Sequence, residues 1–196
     1  MVLREEVVSM PRPPIYRLAA APAAARWALT LFLGTLGMAY VFGFLMVTIW
    51  AGLTPEELAR TYRKQEAGVA GEQAQVSERP IDLEAVLAEE EVHQIDTQLL
   101  IQDTHVHVPV YALIALALSA IALGLRWRPG FDIAVIFALF CGPVLDFAGM
   151  WLTKFVADGF AYLTLLGGWL MAVSYLAVAV TALWQMWVRR PGSLGG

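Results

Sequence analysis

The sequence predicts an all-α integral membrane protein, a four-transmembrane-helix bundle with a helical extramembrane loop between helices 1 and 2. Three observations predict it. Of 196 residues 59% are hydrophobic, mean hydropathy is positive, and the charges are crowded into a few segments, a composition foreign to soluble domains. Four stretches can cross a hydrocarbon core of about 30 Å, which takes roughly 20 helical residues: Trp27–Leu53, Val106–Leu125, Asp132–Thr153 and Phe160–Val188. Most of the basic residues, eight of thirteen, then fall on one side of a four-span topology, as orientation by cytoplasmic Lys and Arg requires.

Residues 1–26 read as an N-terminal tail whose Arg4, Arg12, Arg17 and Arg26 precede the first span. That span is too long for a signal peptide, and Ala19–Ala25 lies on the wrong side of it to serve as a cleavage site. With Arg126, Arg128, Arg189 and Arg190, the tail holds eight of the thirteen basic residues. This side is expected to be cytoplasmic, with residues 189–196 forming a second cytoplasmic tail.

Residues 54–105 form the loop on the opposite side. Its stretch from Thr54 to Thr104 carries twelve acids against four bases, a net of −8. Such a charge repels nucleic acid and anionic lipid and suits a basic partner protein or a cation, or serves solubility alone. Thr54-Pro55-Glu56-Glu57 is a capping box with proline at the first helical position, so a helix starts just outside the first span. Leu58, Thr61, Tyr62 and Gln65 share one face of it. A polar connection follows. After Pro80, Leu83, Val86, Leu87, Ile95, Leu99 and Val106 recur at helical spacing and predict an amphipathic helix leading into the second span.

Two of the three histidines, His105 and His107, sit where that helix enters lipid. Two positions apart, they diverge by about 200° on a helix, so HxH alone is not a paired-ligand motif. His93, Asp96, Leu100, Asp103 and His107 instead follow a spacing of 3, 4, 3 and 4 along one stripe. Asp103 and His107, at i and i+4, are close enough to interact. The stripe has two readings: a solvated helix face, or a His/Asp cluster that holds a zinc, copper or iron ion with His93, Asp103, His105 and His107 as the candidate ligands. Pro109 sets an expectation of a bend or restart in the helix.

Asp146 lies within the third span, about 12 Å below its Lys154 end. A carboxylate in hydrocarbon costs several kcal/mol unless it is paired, protonated or turned to a polar interior. The nearest titratable groups by side and depth are His105 and His107, so an intramembrane pair of Asp146 with His107 is expected.

Other chemistries are restricted. Cys141 is the sole cysteine, which excludes a CxxC redox site, an internal disulfide and c-type haem attachment. Spans 1, 3 and 4 contain no histidine, so a bis-histidine haem inside the bundle is excluded, while one haem at the rim stays open beside the metal reading. No HExxH, GxSxG, Walker or dinucleotide glycine motif occurs, and no independent catalytic activity is expected. Glycines in spans 1, 3 and 4 suit close helix packing, and the tryptophans, Trp169 excepted, fall near the expected interfaces.

The segments GLTPEELARTY after span 1, THVHVP at span 2, LDFAGMWLTKF in span 3 and ALWQMW near the end resemble a group of bacterial four-span inner-membrane proteins associated with electron-transfer components. The resemblance covers residues 27–188. It implies an inner-membrane location, a periplasmic acidic loop, and an accessory or structural role in a respiratory or photosynthetic complex. Expected contacts are then membrane lipids, other membrane-protein subunits and a basic periplasmic protein. No activity carries over with it.

Overall fold

The computed structural model describes residues 16–63, 95–128 and 130–188. The described residues form helices and their connections. Four helices are long and apolar enough to cross a membrane: α1 (Ala23–Trp50), α3 (Thr97–Leu123), α4 (Phe131–Phe155) and α5 (Ala161–Leu183). A short helix, α2 (Pro55–Tyr62), follows α1. The polar connection, the segment with Leu83, Val86 and Leu87, and His93 and Gln65 lie outside the described residues.

The tightest packing joins α4 to α5, and missing side chains allow it. A Cβ placed on Gly167 would strike the backbone of Asp146 and come within 2.6 Å of the Gly142 carbonyl oxygen. One on Gly149 would strike the Thr164 backbone, and one on Gly142 would lie 2.7 Å from the Met171 side chain. In lipid, where apolar burial between helices drives nothing, such close approach is what lets dispersion hold helices together. Below this contact a core of Leu118, Val178, Leu139, Ala115 and Leu33 fills the bundle.

Both described chain ends lie at one end of the bundle, called here the terminal end. Leu18, 1% exposed, tucks against the α3–α4 turn, with its N–H donating to the Gly124 carbonyl at 3.3 Å. The Gln185 amide closes the same turn, accepting from Arg126 N–H at 3.1 Å and donating to the Arg126 carbonyl at 3.3 Å. α5 finishes in a π-helical turn, Trp184–Val188, where Arg26 Nη1 donates to the Met186 carbonyl at 3.2 Å. Trp27 meets Trp187 edge-on at 5.0 Å. The α1–α2 and α4–α5 connections occupy the opposite, loop end. Four spans with both ends together is the expected topology.

α1 stands apart. Leu33 is its one buried residue in 28, and its contacts with α5 and the turn that ends it lie between Arg26 and Tyr40. Tyr175 donates to the Leu33 carbonyl at 2.7 Å, Trp187 Nε1 donates to Thr30 Oγ1 at 3.0 Å, and Tyr40 stacks on Tyr175 at 4.6 Å.

α2 forms as its sequence predicts. Glu57 N–H donates to Thr54 Oγ1 at 3.2 Å, and the Glu57 carboxylate accepts from the N–H groups of Thr54 and Leu53 at 3.0 and 2.9 Å. Leu58, Ala59, Thr61 and Tyr62 are buried. α3 begins well before the apolar run because Asp96 caps it, accepting from Leu99 N–H at 2.6 Å. It continues through Pro109 without restarting. The proline ring lies on an exposed face of α3.

Two predictions follow from this packing. Gly167→Val should lower stability by about 1–3 kcal/mol, the cost of overpacking, while Gly168→Ala, whose added Cβ meets open space, should leave it unchanged or raise it by up to about 1 kcal/mol. Thermal unfolding of both variants in detergent reads the difference. The second concerns Glu57, whose carboxyl is held below its ordinary value of 4.5 by hydrogen bonds from Thr54 and Leu53. A depressed carboxyl contributes stability that is complete above its unfolded value and lost as pH falls through the folded one. Protection of α2 amides, corrected for intrinsic exchange, should therefore hold above pH 4.5 and fall below it, and Glu57→Gln should abolish the dependence.

Candidate functional site at the loop end of the bundle

α2 lies as a cap over the loop ends of α4 and α5, and the reason is local. Its buried face, Leu58, Ala59 and Tyr62, joins Leu100 and Ala161 in a second small core, with Met150, Trp151 and Ile95 around it. Polar ties hold the cap in place. Ile95 N–H donates to the Thr61 carbonyl at 3.0 Å, and the buried Lys154 donates to the Ile95 carbonyl. Arg63 forms an ion pair with Asp158. Trp151 Nε1 donates to Thr104 Oγ1 at 3.0 Å, and that hydroxyl donates to the Leu100 carbonyl at 2.7 Å, joining α4 to α3.

Beneath the cap, one stripe of α3 turns toward α4. Leu100 is 1% exposed, Asp103 and His107 are half-buried, and Tyr111 comes next at the same spacing. His107 Nδ1 lies 2.9 Å from the Asp103 carbonyl oxygen and 2.9 Å from Asp103 Oδ1. Both neighbours are acceptors, so Nδ1 carries the proton and Nε2 is the ring's other nitrogen. The His107 ring centroid lies 5.7 Å from that of Tyr111, which lies 5.9 Å from that of Phe147. Asp146, 8% exposed, adjoins Phe147 on α4, and its backbone carbonyl accepts from Thr164 Oγ1 of α5 at 3.4 Å.

Asp146, Asp103, His107, Tyr62 and Tyr111 are electrostatic neighbours. Burial first, and then the negative charges of Asp146 and Asp103, hold the Tyr62 phenol well above its ordinary range. It is therefore a neutral hydroxyl at any physiological pH. Tyr40 of α1 lies within electrostatic reach of Tyr111 and Tyr175, so polar groups descend from the rim to the middle of the bundle.

The sequence-derived candidates separate accordingly. Asp103 and His107 come together, and Asp146 lies beside them without a hydrogen bond to either imidazole among the described residues. His105 is exposed on another face of α3, and Asp96 is a helix cap rather than a ligand. Among the described residues no three His, Cys, Asp or Glu side chains converge as a metal site, and Cys141 is exposed. Sequence reasoning missed Tyr111 and the link from Tyr62 to Asp146. Tyr111 carried a usable signal, since positions 103, 107 and 111 continue one helical stripe.

Helices of this length and apolarity, joined backbone to backbone and capped at one end, define a polytopic α-helical membrane protein. Residues 52–193 match the Aq_1264_TM family, described as a transmembrane helical domain, and the chain belongs to that family. No curated protein and no solved structure matches the chain.

The Trp151–Thr104 bond is the direct α3–α4 tie above the polar groups. Trp151→Phe should cost about 0.5–1.5 kcal/mol, the net worth of one hydrogen bond, plus the lost ring area. In a double-mutant cycle with Thr104→Val, the second substitution should add less in the Trp151→Phe background than alone. Fully additive stabilities would show that the two side chains do not interact.

Proposed function

We propose that the protein is an accessory subunit of a membrane assembly, holding another integral membrane protein against the exposed Val41–Ile49 stretch of α1. The observation that carries this reading is the uneven burial of the spans. The most apolar window of α1 is 11% buried, against 28%, 33% and 39% for the other three. From Val41 to Ile49, Val41, Phe42, Phe44, Leu45, Met46, Val47 and Ile49 are all exposed. A helix held against the other spans chiefly near the terminal end leaves an exposed apolar stretch to pack against another chain, and helix association in lipid rewards such packing.

The finer assignment, an electron-transfer complex of a bacterial inner membrane with both termini cytoplasmic, rests on the sequence resemblance and the arginine distribution. Under that assignment the acidic loop faces the periplasm. Its net −8 between Thr54 and Thr104 offers a contact to a basic partner that weakens with salt, since exposed attractions are screened within about 8 Å at physiological ionic strength.

The test uses a photo-reactive residue at Phe44 in the exposed stretch of α1, with Val180, an exposed position on α5, as the control. In native membranes Phe44 should form an adduct with a chain that carries a haem or an iron–sulfur cluster, and Val180 should give little of it. Adducts of Phe44 with lipid alone, or equal yields at both positions, would overturn the reading. Adducts with a membrane protein that carries no redox centre would keep the accessory role and reject the redox context.

A further inference from the structure

Asp146 is a charged-type side chain placed more than nine-tenths inside the molecule, 8% exposed, within a membrane-spanning helix. Among the described residues its carboxyl oxygens make no hydrogen bond. Nor are they sealed: the sealed, unpartnered side-chain atoms of the described residues are Arg26 Nε, Ser119 Oγ, Asp132 Oδ1 and Thr153 Oγ1, and those of Asp146 are not among them. Its oxygens therefore keep some accessible surface, and a buried polar group without a protein partner is ordinarily satisfied by water.

The polar groups near the carboxyl come from several elements. Asp103, His107 and Tyr111 of α3 and Tyr62 of α2 are its electrostatic neighbours, the His107 and Tyr111 rings lead to Phe147 beside it, Thr164 of α5 bonds its backbone carbonyl, and Tyr40 of α1 stands beyond Tyr111. Asp103 and His107 are half-buried at the rim and reach the loop-end surface. Toward the terminal end the way is closed by side chains of the main core, Leu118 and Val178 at 0% exposed and Leu33 and Ala115 at 1% and 2%. The polar series ends in this plug, where Tyr175 donates to the Leu33 carbonyl.

We propose that Asp146 is a protonation site that exchanges its proton with the aqueous phase at the loop end through the His107 imidazole. The Nδ1 proton of His107 is committed to Asp103, so the relay uses Nε2. Nε2 accepts a proton from water at the rim and releases it through intervening water to the Asp146 carboxylate, forming its O–H bond. The imidazole returns to the neutral form with its proton still on Nδ1 and donated to Asp103, which fixes the tautomer and stabilises the transient imidazolium. Tyr62 and Tyr111, as hydroxyls, can orient the connecting water without taking charge. Because the core plug blocks the terminal end, the site stores or senses a proton and does not conduct one across the membrane.

The experiment is infrared difference spectroscopy on the full chain reconstituted in liposomes, following the carboxylic-acid C=O band and its shift in deuterated water. A pH-dependent band should disappear in Asp146→Asn and move in Asp146→Glu. Its proton–deuteron exchange should slow at least about tenfold in His107→Phe, which keeps a ring against Tyr111, and added imidazole should restore the rate. Restoration separates a relay from a structural role, because free imidazole does not repair packing. No Asp146-dependent band across the range in which imidazole titrates would overturn the proposal. Exchange in His107→Phe as fast as in the parent would overturn the route. Loss of the band on adding sodium at fixed pH would make this a cation site instead.

Discussion

Every other contact in this bundle depends on the backbone-to-backbone seating of α4 on α5. Gly142, Gly149 and Gly167 remove the side chains that would hold the two helices apart, and the contact they permit places the Asp146 backbone directly over Gly167. In lipid this is the economical way to join helices, because burying apolar surface gains nothing over leaving it in acyl chains. The pair then serves as a platform. α3 packs on α4, α2 rests on the loop ends of both, and α1 leans on α5 at Tyr175.

The same seating explains why a carboxyl can sit at the depth of Asp146. The backbone of Asp146 lies against Gly167, while the electrostatic neighbours of its carboxyl belong to α2 and α3. α2 closes that side from above with Leu58 and Tyr62, and the capping box that starts α2 is set by local sequence alone. A strong local signal thus positions a long-range lid. The ties of the lid, Lys154 to Ile95, Ile95 to Thr61 and Arg63 to Asp158, satisfy backbone and charged groups that would otherwise be stranded at the membrane boundary.

α1 follows a different rule. It is as apolar as the other spans but is fastened through a few directional contacts near one end: Arg26 to Met186, Trp187 to Thr30 and Tyr175 to Leu33. Directional bonds are strong where water is scarce, so a few suffice to hold a helix without an extended packed face. The molecule therefore combines a rigid three-helix platform with one span whose second half is turned outward, an arrangement suited to assembly.

The sequence by itself determined the architecture. Four apolar runs of spanning length, the clustering of arginines at alternate ends of those runs and the Thr54–Glu57 box required four membrane helices with a capped helix after the first, because length and backbone satisfaction in lipid leave no other solution. It also determined the Asp103–His107 pair, since i and i+4 on one helix are neighbours whatever surrounds them. Only the tertiary structure decided what Asp146 faces. Its neighbours Tyr62, Tyr111 and His107 come from two other elements, and their approach depends on helix rotation and on the seating of α2, which no local pattern encodes. Nor could apolarity show that α1 stands apart, because in lipid a buried face and an exposed face have the same composition.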